Sequence, residues 1–421
     1  MDRTAFVYID IEEGPVLVGR LWSRIRKDKE SATFEYAPGW LARPDRFALE
    51  PGLALTPGPF HTAQGKTLFG AIGDSAPDRW GRVLMRRAER RRADREGTAP
   101  RTLFEIDFLL NVDDEARAGA LRFTETEGGP FLAEPGGRRI PALVDLPRLL
   151  SAADHVADDE DDDEDLRLLI APGSSLGGAR PKASVRDENG QLSIAKFPHK
   201  EDTINAVLWE ATALSLARHA GIDVADWRVV PIADRAALLV SRFDRVGARR
   251  IPFLSAMSML GATDNEREPR SYLEIADALR QSGASPNADL EQLWRRIVFN
   301  VLITNTDDHL RNHGFLYSGI EGWRLSPAYD LNPVPTDIKP RILSTAIGVD
   351  DPSASLDIAY ENADYFGLKP ARAHEIAGAV AAAVSRWREV AAAVGLSRRA
   401  IERMASAFEH EDLRKATGGA A

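Results

Sequence analysis

Hydrophobic positions along this chain recur in two rhythms. Residues 5–11, 16–22 and 32–36 alternate with a period of two, which predicts strands with one covered face. Residues 1–130 are therefore expected to form a small β-rich domain. A helical rhythm follows Ser75-Ala76-Pro77-Asp78, a start signal with proline in the first turn. The helix it opens runs through the basic stretch 86–95. Residues 183–185 and 191–197 read as strands, 203–219 as a helix and 235–243 as a buried strand. Leu290, Leu293, Trp294, Ile297, Val298, Val301 and Leu302 recur at helical spacing. They predict a buried helix that ends near Thr304 or Asn305. A short hairpin is expected at residues 314–317 and 323–325. Beyond it the chain is largely helical, with helices at 371–394 and 400–408 and a frayed end at 417–421. No period of 20 to 50 residues is present, which argues against a repeat protein.

The polar octet after the buried helix carries the chemistry. In Asn305-Thr306-Asp307-Asp308-His309-Leu310-Arg311-Asn312, Asp307 and Asn312 stand five apart, and Asp330 follows in Pro327-Ala328-Tyr329-Asp330. Protein kinases use this spacing for a catalytic Asp and a metal-binding Asn, with a metal-binding Asp downstream. One carboxylate orients an acceptor hydroxyl and takes its proton. An amide oxygen and a second carboxylate suit Mg²⁺, a hard cation. The same residue types also build turns and caps. His309 is read as a brace for the loop, and His313 as a turn or surface histidine.

Residues 173–182, Gly-Ser-Ser-Leu-Gly-Gly-Ala-Arg-Pro-Lys, form a Gly-rich stretch. It is either a surface turn or a loop whose N–H groups approach phosphate. It is neither a Walker A loop nor G-x-G-x-x-G. Lys196 ends the following strand, where a kinase holds nucleotide phosphates with a lysine. Glu210, in the next helix, either pairs with Lys196 or faces solvent. Backbone groups of Ser241 to Phe243 are placed topologically to meet an adenine edge. Asp244-Arg245 is open to reading as a turn.

At 421 residues and 44% hydrophobic, the chain is long enough for two or three cores. It has no cysteine, which excludes disulfides, thiolate metal sites and cysteine nucleophiles. The start is expected to enter a strand rather than a signal peptide, and no apolar run approaches a membrane span. A cytoplasmic location with no membrane partner is expected. A net charge of −10 argues against broad nucleic-acid binding by this chain alone. The unbroken acidic run at 158–165 is expected to be a solvated linker.

These blocks, in this order, resemble the HipA family of serine/threonine kinases, the toxin half of a bacterial toxin–antitoxin pair. The likeness rests on residues 175–182 (Ser-Leu-Gly-Gly-Ala-Arg-Pro-Lys), Ala195-Lys196-Phe197, Ser241-Arg242-Phe243-Asp244-Arg245, the octet 305–312 and Pro327-Ala328-Tyr329-Asp330-Leu331. The leading region matches too, at Phe34-Glu35-Tyr36, Trp40-Leu41 and residues 69–81. The resemblance implies an α+β fold: a two-lobed, protein-kinase-like core with a small β-rich N-terminal domain and a helical C-terminal lobe. The expected domains are 1–130, a linker at 131–168, a nucleotide-binding region at 169–243, a helical lobe at 244–412 and a flexible tail at 413–421. The resemblance makes Asp307 the catalytic aspartate, Asn312 and Asp330 the Mg²⁺ ligands and Lys196 the nucleotide lysine. Ser175, Gly177, Gly178, Lys182, Ser241 and Phe243 join the ATP site. Ser175 falls on the serine that the family autophosphorylates, with Ser174 the adjacent alternative. Three positions depart from the pattern. Arg180 replaces the usual Gln, Ser241 stands where Glu is found in relatives, and Trp209-Glu210 replaces Asn-Glu.

The resemblance implies an ATP- and Mg²⁺-dependent kinase acting as a growth-inhibiting toxin. Its implied partners are a helix-turn-helix antitoxin of the HipB type and a protein substrate such as an aminoacyl-tRNA synthetase. DNA is reached only through the antitoxin. The alternatives are a small-molecule kinase on the same core, a non-enzymatic nucleotide-binding module and, more distantly, a metal-dependent hydrolase built on Asp307, Asp308 and His309.

Overall fold

The computed structural model describes residues 2–11, 14–132, 140–170, 178, 180–263, 270–349 and 351–418. Contacts divide the chain into two compact units, Met1–Lys200 with Ile232–Thr263, and Glu201–Pro231 with Asp264–Ala421. No helix among the described residues is long and apolar enough to cross a membrane.

The first unit opens with an antiparallel sheet. Its strands are β1 (Asp2–Ile11), β2 (Gly14–Arg26), β3 (Lys29–Tyr36), β4 (Pro59–His61) and β5 (Leu121–Thr124), in the order β4-β3-β2-β1-β5. The period-two pattern fixes the covered face, because Ala5, Val7 and Ile9 are fully buried. Gly19 is required in β2: a Cβ there would lie 2.3 Å from the Glu35 carbonyl and 2.6 Å from the Phe34 ring. A second sheet holds β6 (Lys182–Arg186), β7 (Leu192–Lys196), β8 (Trp227–Ile232) and β9 (Arg235–Ser241). Both β6 and β9 pair antiparallel with β7, and β8 carries the chain back into this unit.

The basic helix is Arg79–Glu96. Asp78, not Ser75, is its cap, accepting the Gly81 N–H at 2.8 Å. Pro77 therefore precedes the cap instead of occupying the first turn. Gly97 closes the helix in the left-handed conformation. The acidic run departs from the solvated form expected of it. Asp161 is 3% exposed, Asp163–Ile170 is helical, and the run lies against the basic helix. Arg87 bonds Asp161 and Asp159, Arg91 bonds Asp161 at 3.1 Å, and Arg95 bonds Asp163 at 2.6 Å. Positions 87, 91 and 95 are spaced four apart and so form one stripe. Their charge offsets the repulsion that would otherwise keep the acidic run in solvent.

In the second unit the helix Pro286–Leu302 is the central element. Leu293, Trp294, Ile297, Val298, Val301 and Leu302 are fully buried on it. Ser271 and Glu274 form a capping box on the preceding helix Tyr272–Ser282. The hairpin of Gly314–Tyr317 and Trp323–Leu325 is antiparallel. The single helix expected at 371–394 is two, Pro370–Val384 and Trp387–Val394. The break lets Trp387 stack on Phe408, 4.6 Å between ring centroids and 5° from parallel, with Trp209 beside both. The helix expected at 400–408 also divides, into Arg398–Arg403 and Ala405–Phe408. A further helix, Glu411–Ala416, is tied in by its buried Asp412, which accepts the Leu356 N–H at 2.8 Å.

Candidate active site

The octet 305–312 begins where the central helix stops. Ile303 caps that helix, and Thr304 takes a positive φ of 53°. For a β-branched residue that conformation is strained. Full burial and a 2.7 Å hydrogen bond from Thr304 Oγ1 to the Ala407 carbonyl hold it. Asn305 then turns back onto the helix, its N–H to the Asn300 carbonyl at 2.9 Å and its Nδ2 to Asn300 Oδ1 at 3.0 Å.

Adjacent aspartates have opposite fates. Asp308 is buried and accepts from Asn300 Nδ2 at 2.8 Å, His313 Nε2 at 2.7 Å and the Tyr272 hydroxyl. Its carbonyl accepts from Thr345 Oγ1 at 2.7 Å. Burial pushes the Asp308 carboxyl up, but His313 and the hydroxyl of Tyr272 outweigh it, so the group is held below the usual carboxylate range. Burial, reinforced by Asp308, drives the Tyr272 hydroxyl well above 10. With Asp308 pinned inward, Asp307 is left outward, its side chain 67% exposed. This placement removes the hydrolase arrangement, because Asp308 is spent on the core and does not join Asp307 and His309. It also corrects His313, which is a buried partner of Asp308 rather than a surface residue. Among the described residues, no group of three or more His, Asp or Glu is placed to hold a metal.

Asn312 ends a short turn, Leu310–Asn312. Its Nδ2 donates to the Asp307 carbonyl at 3.1 Å, so the two motif residues are joined directly. Its Oδ1 is buried and has no hydrogen-bond partner in the protein. An unmet buried acceptor costs about 1–3 kcal/mol, and a neutral amide oxygen is a donor that a hard cation accepts. Asp330 lies on a segment tied to the loop on both sides. Tyr329 donates its hydroxyl to the Arg311 carbonyl at 2.7 Å, and Val334 donates its N–H to the Thr304 carbonyl at 3.2 Å. Asp330 itself has a φ of 59°. A non-glycine residue there is uncommon and recurs at functional sites. Asp307, Asn312 and Asp330 thus belong to one hydrogen-bonded assembly of the second unit, and the oxygen donors of Asn312 and Asp330 fit Mg²⁺ in kind.

Sequence reasoning missed Lys339. Its Nζ lies 3.7 Å from Asp307 Oδ1 and 3.3 Å from the Thr306 carbonyl. Nothing local announces it: it is a single lysine before Pro340, far along the chain from the octet.

The proposed nucleotide residues belong to the first unit. Ser174, Ser175 and Gly177 lie outside the described residues. Gly178 has a φ of 90°, a left-handed conformation that favours glycine, and the Lys182 ammonium passes close by, 2.8 Å from where a Cβ would stand. Lys182 and Lys196 stand directly opposite on β6 and β7. Like charges so placed repel. Asp78 relieves this, its Oδ2 3.2 Å from the buried Lys182 Nζ. Lys196 is half-buried at its strand end. Ser241 pairs across the sheet with Ser193, and the Phe243 ring lies 6.2 Å from that of Phe253. In the second unit Glu210 is buried rather than solvent-facing.

Asp244-Arg245 is more than a turn. Asp244 is fully buried, bonds Arg242 Nε at 2.8 Å and Arg245 Nη1 at 3.0 Å, and accepts the Gly119 N–H at 2.8 Å. Burial alone would raise its carboxyl, but Arg242, Arg245 and Gly119 outweigh this and hold it at about 2, from 3.8. A depressed carboxylate stabilises the fold above its unfolded value and loses that contribution as pH falls through its folded value. About 2 kcal/mol should therefore disappear between roughly pH 4 and pH 2. Urea midpoints across pH 2–5 should fall steeply in the wild type and less so in Asp244→Asn. Equal slopes would remove Asp244 from this role.

A family model described as HipA-like C-terminal domain matches residues 174–388. The "Putative kinase Y4mE" of Sinorhizobium fredii (strain NBRC 101917 / NGR234) is 25% identical over 342 residues, covering 74% of this chain and 75% of that protein. A "Putative kinase" of Haemophilus influenzae is 27% identical over 180 residues, 38% of this chain and 52% of that one. Among solved structures, a chain from the Shewanella oneidensis MR-1 toxin–antitoxin complex of HipA, HipB and operator DNA matches with a TM-score of 0.68 at 17% identity. The match covers 98% of this chain and 96% of that one. The fold is accordingly the α+β, kinase-like one.

Proposed function

This chain belongs to the HipA family, and from that premise we propose that it is an ATP- and Mg²⁺-dependent serine/threonine protein kinase. The observation that carries this reading is the bond between the exposed Asp307 and Asn312, whose Oδ1 is buried without a protein partner. Asp307 accepts the proton of an acceptor hydroxyl. Asn312 and Asp330 hold Mg²⁺, which when bound offsets the charge of the nucleotide phosphates. Lys196 and the 173–182 stretch hold the phosphates, and the backbone of Ser241 to Phe243 meets the adenine. The Shewanella complex supports an antitoxin of the HipB type as partner, with DNA reached through it. The family resemblance supports a growth-inhibiting role and a translation component, such as an aminoacyl-tRNA synthetase, as substrate.

The test is incubation of the full chain with γ-labelled ATP, with and without Mg²⁺, followed by mass spectrometry. Mg²⁺-dependent phosphate at Ser175, or secondarily Ser174, is the expected result. Phosphate adds about −1.5 to −2 charges to the Gly-rich stretch, so Ser175→Asp is expected to weaken ATP binding. No transfer to this chain or to any bacterial protein would overturn the kinase reading. Transfer to an aminoglycoside or sugar hydroxyl alone would replace it with a small-molecule kinase.

A further inference from the structure

We propose that Lys339 is a further catalytic residue, presenting an N–H donor to the phosphoryl group as it passes to the acceptor held at Asp307. This inference rests on the kinase reading and deepens it. The segment after Asp330 is built to carry a cation back to the octet. Pro335 opens a tight turn whose carbonyl accepts the N–H groups of Ile338 at 3.0 Å and Lys339 at 3.2 Å. The turn is anchored on both sides. Thr336 N–H bonds Ser406 Oγ at 3.1 Å, Asp337 pairs with Arg403 at 2.7 Å, and Arg341 pairs with Asp412 at 2.7 Å. The chain then returns to Thr306, whose carbonyl accepts from Lys339 Nζ at 3.3 Å, Ser344 Oγ at 3.0 Å and Ser344 N–H at 3.2 Å.

Lys339 shares the Thr306 carbonyl with Ser344, and its contact with that carbonyl and with Asp307 places the ammonium beside the octet before any substrate arrives. An ammonium has three donors. Thr306 takes one, and the 3.7 Å approach to Asp307 Oδ1 is an ion pair longer than a hydrogen bond. A donor therefore remains for an anionic oxygen. Lys339 is 40% exposed and Asp307 67%, so both reach the surface from which an acceptor comes. A purely structural ion pair at that exposure is worth little, about 0–1 kcal/mol. A preorganised cation aimed where charge develops is worth far more in rate.

In the reaction the acceptor hydroxyl gives its proton to the Asp307 carboxylate. The acceptor O–P bond forms as the bond from the γ-phosphorus to the β,γ-bridging oxygen breaks, and ADP leaves. Lys339 keeps all its protons and forms no covalent bond. It offsets negative charge on the transferring group, so its contribution is larger in the transition state than in ATP binding.

The test uses the full chain with ATP and Mg²⁺. ADP formation is measured at saturating nucleotide in wild type, Asp307→Asn, Lys339→Ala and Lys339→Arg, with ATP Kd and melting temperature measured alongside. Lys339→Ala is expected to slow ADP formation by about 10²-fold, with ATP Kd within about twofold and an unchanged melting temperature. Lys339→Arg is expected to recover part of the rate, since it restores charge with different donor geometry. Lys339→Ala as fast as an active wild type would overturn this inference and leave the kinase reading standing. So would a rate loss matched by an equal loss of ATP affinity or by a lowered melting temperature. A wild type that forms no more ADP than Asp307→Asn would overturn the kinase reading, and this inference with it.

Discussion

Asp307→Asn is expected to lower phosphoryl transfer by about 10²–10⁴-fold, the usual contribution of a positioned general base, while the protein melts at the wild-type temperature. The two halves of that expectation have separate causes. Asparagine keeps the size of the side chain and loses the proton acceptor. Stability is spared because Asp307 is 67% exposed and its ion pair with Lys339 spans 3.7 Å, an interaction worth about 0–1 kcal/mol. The contacts that order the loop use the Asp307 carbonyl, which accepts from Asn312 Nδ2 and the His309 N–H, and the substitution leaves that carbonyl in place. Labelled-ATP transfer and thermal melting on one preparation check both halves. Transfer within about threefold of wild type would take Asp307 out of the base role. A large drop in melting temperature would mean that the loop, not the base, had been removed.

The parts of this site legible in the sequence are those written in local spacing. The helix Pro286–Leu302 was visible because its apolar residues repeat at the helical period. Asp307 and Asn312 were visible because a single turn spaces them. The supports of that turn come from elsewhere. Tyr272 reaches Asp308 across 36 residues and Thr345 across 37. No window of sequence contains both ends of such a contact. His313 was misread for this reason: beside a loop it resembles a surface residue until Asp308 is seen to point inward. The acidic run failed differently. Charge-run reasoning takes water as the alternative environment, whereas Asp161 meets Arg91 from 70 residues upstream. Lys182, assigned by pattern to phosphate, is paired in the structure with Asp78, which the pattern read only as part of a helix start.

Asp308→Ala is expected to cost more stability than the change at its neighbour Asp307, because Asp308 is buried and Asp307 is exposed. Alanine would leave Asn300 Nδ2, His313 Nε2 and the Tyr272 hydroxyl facing an empty acceptor position inside the core. A buried donor without a partner costs about 1–3 kcal/mol, and breaking a buried charged network costs roughly 3–5 kcal/mol. At about 2–4 °C per kcal/mol for a unit of this size, the melting temperature should fall by about 10 °C. Asp308→Asn should fall between wild type and Asp308→Ala, because it keeps one oxygen acceptor but turns an NH₂ group toward donors. Activity should follow stability in this series, since the direction of Asp307 is set by the burial of its neighbour. Urea unfolding of the three proteins, with ADP formation measured well below each melting point, separates the two effects. A loss below about 1 kcal/mol in Asp308→Ala would mean that Thr304 and Asn305 alone hold the loop. Full activity in a destabilised Asp308→Ala would show that Asp307 finds its direction without the buried network.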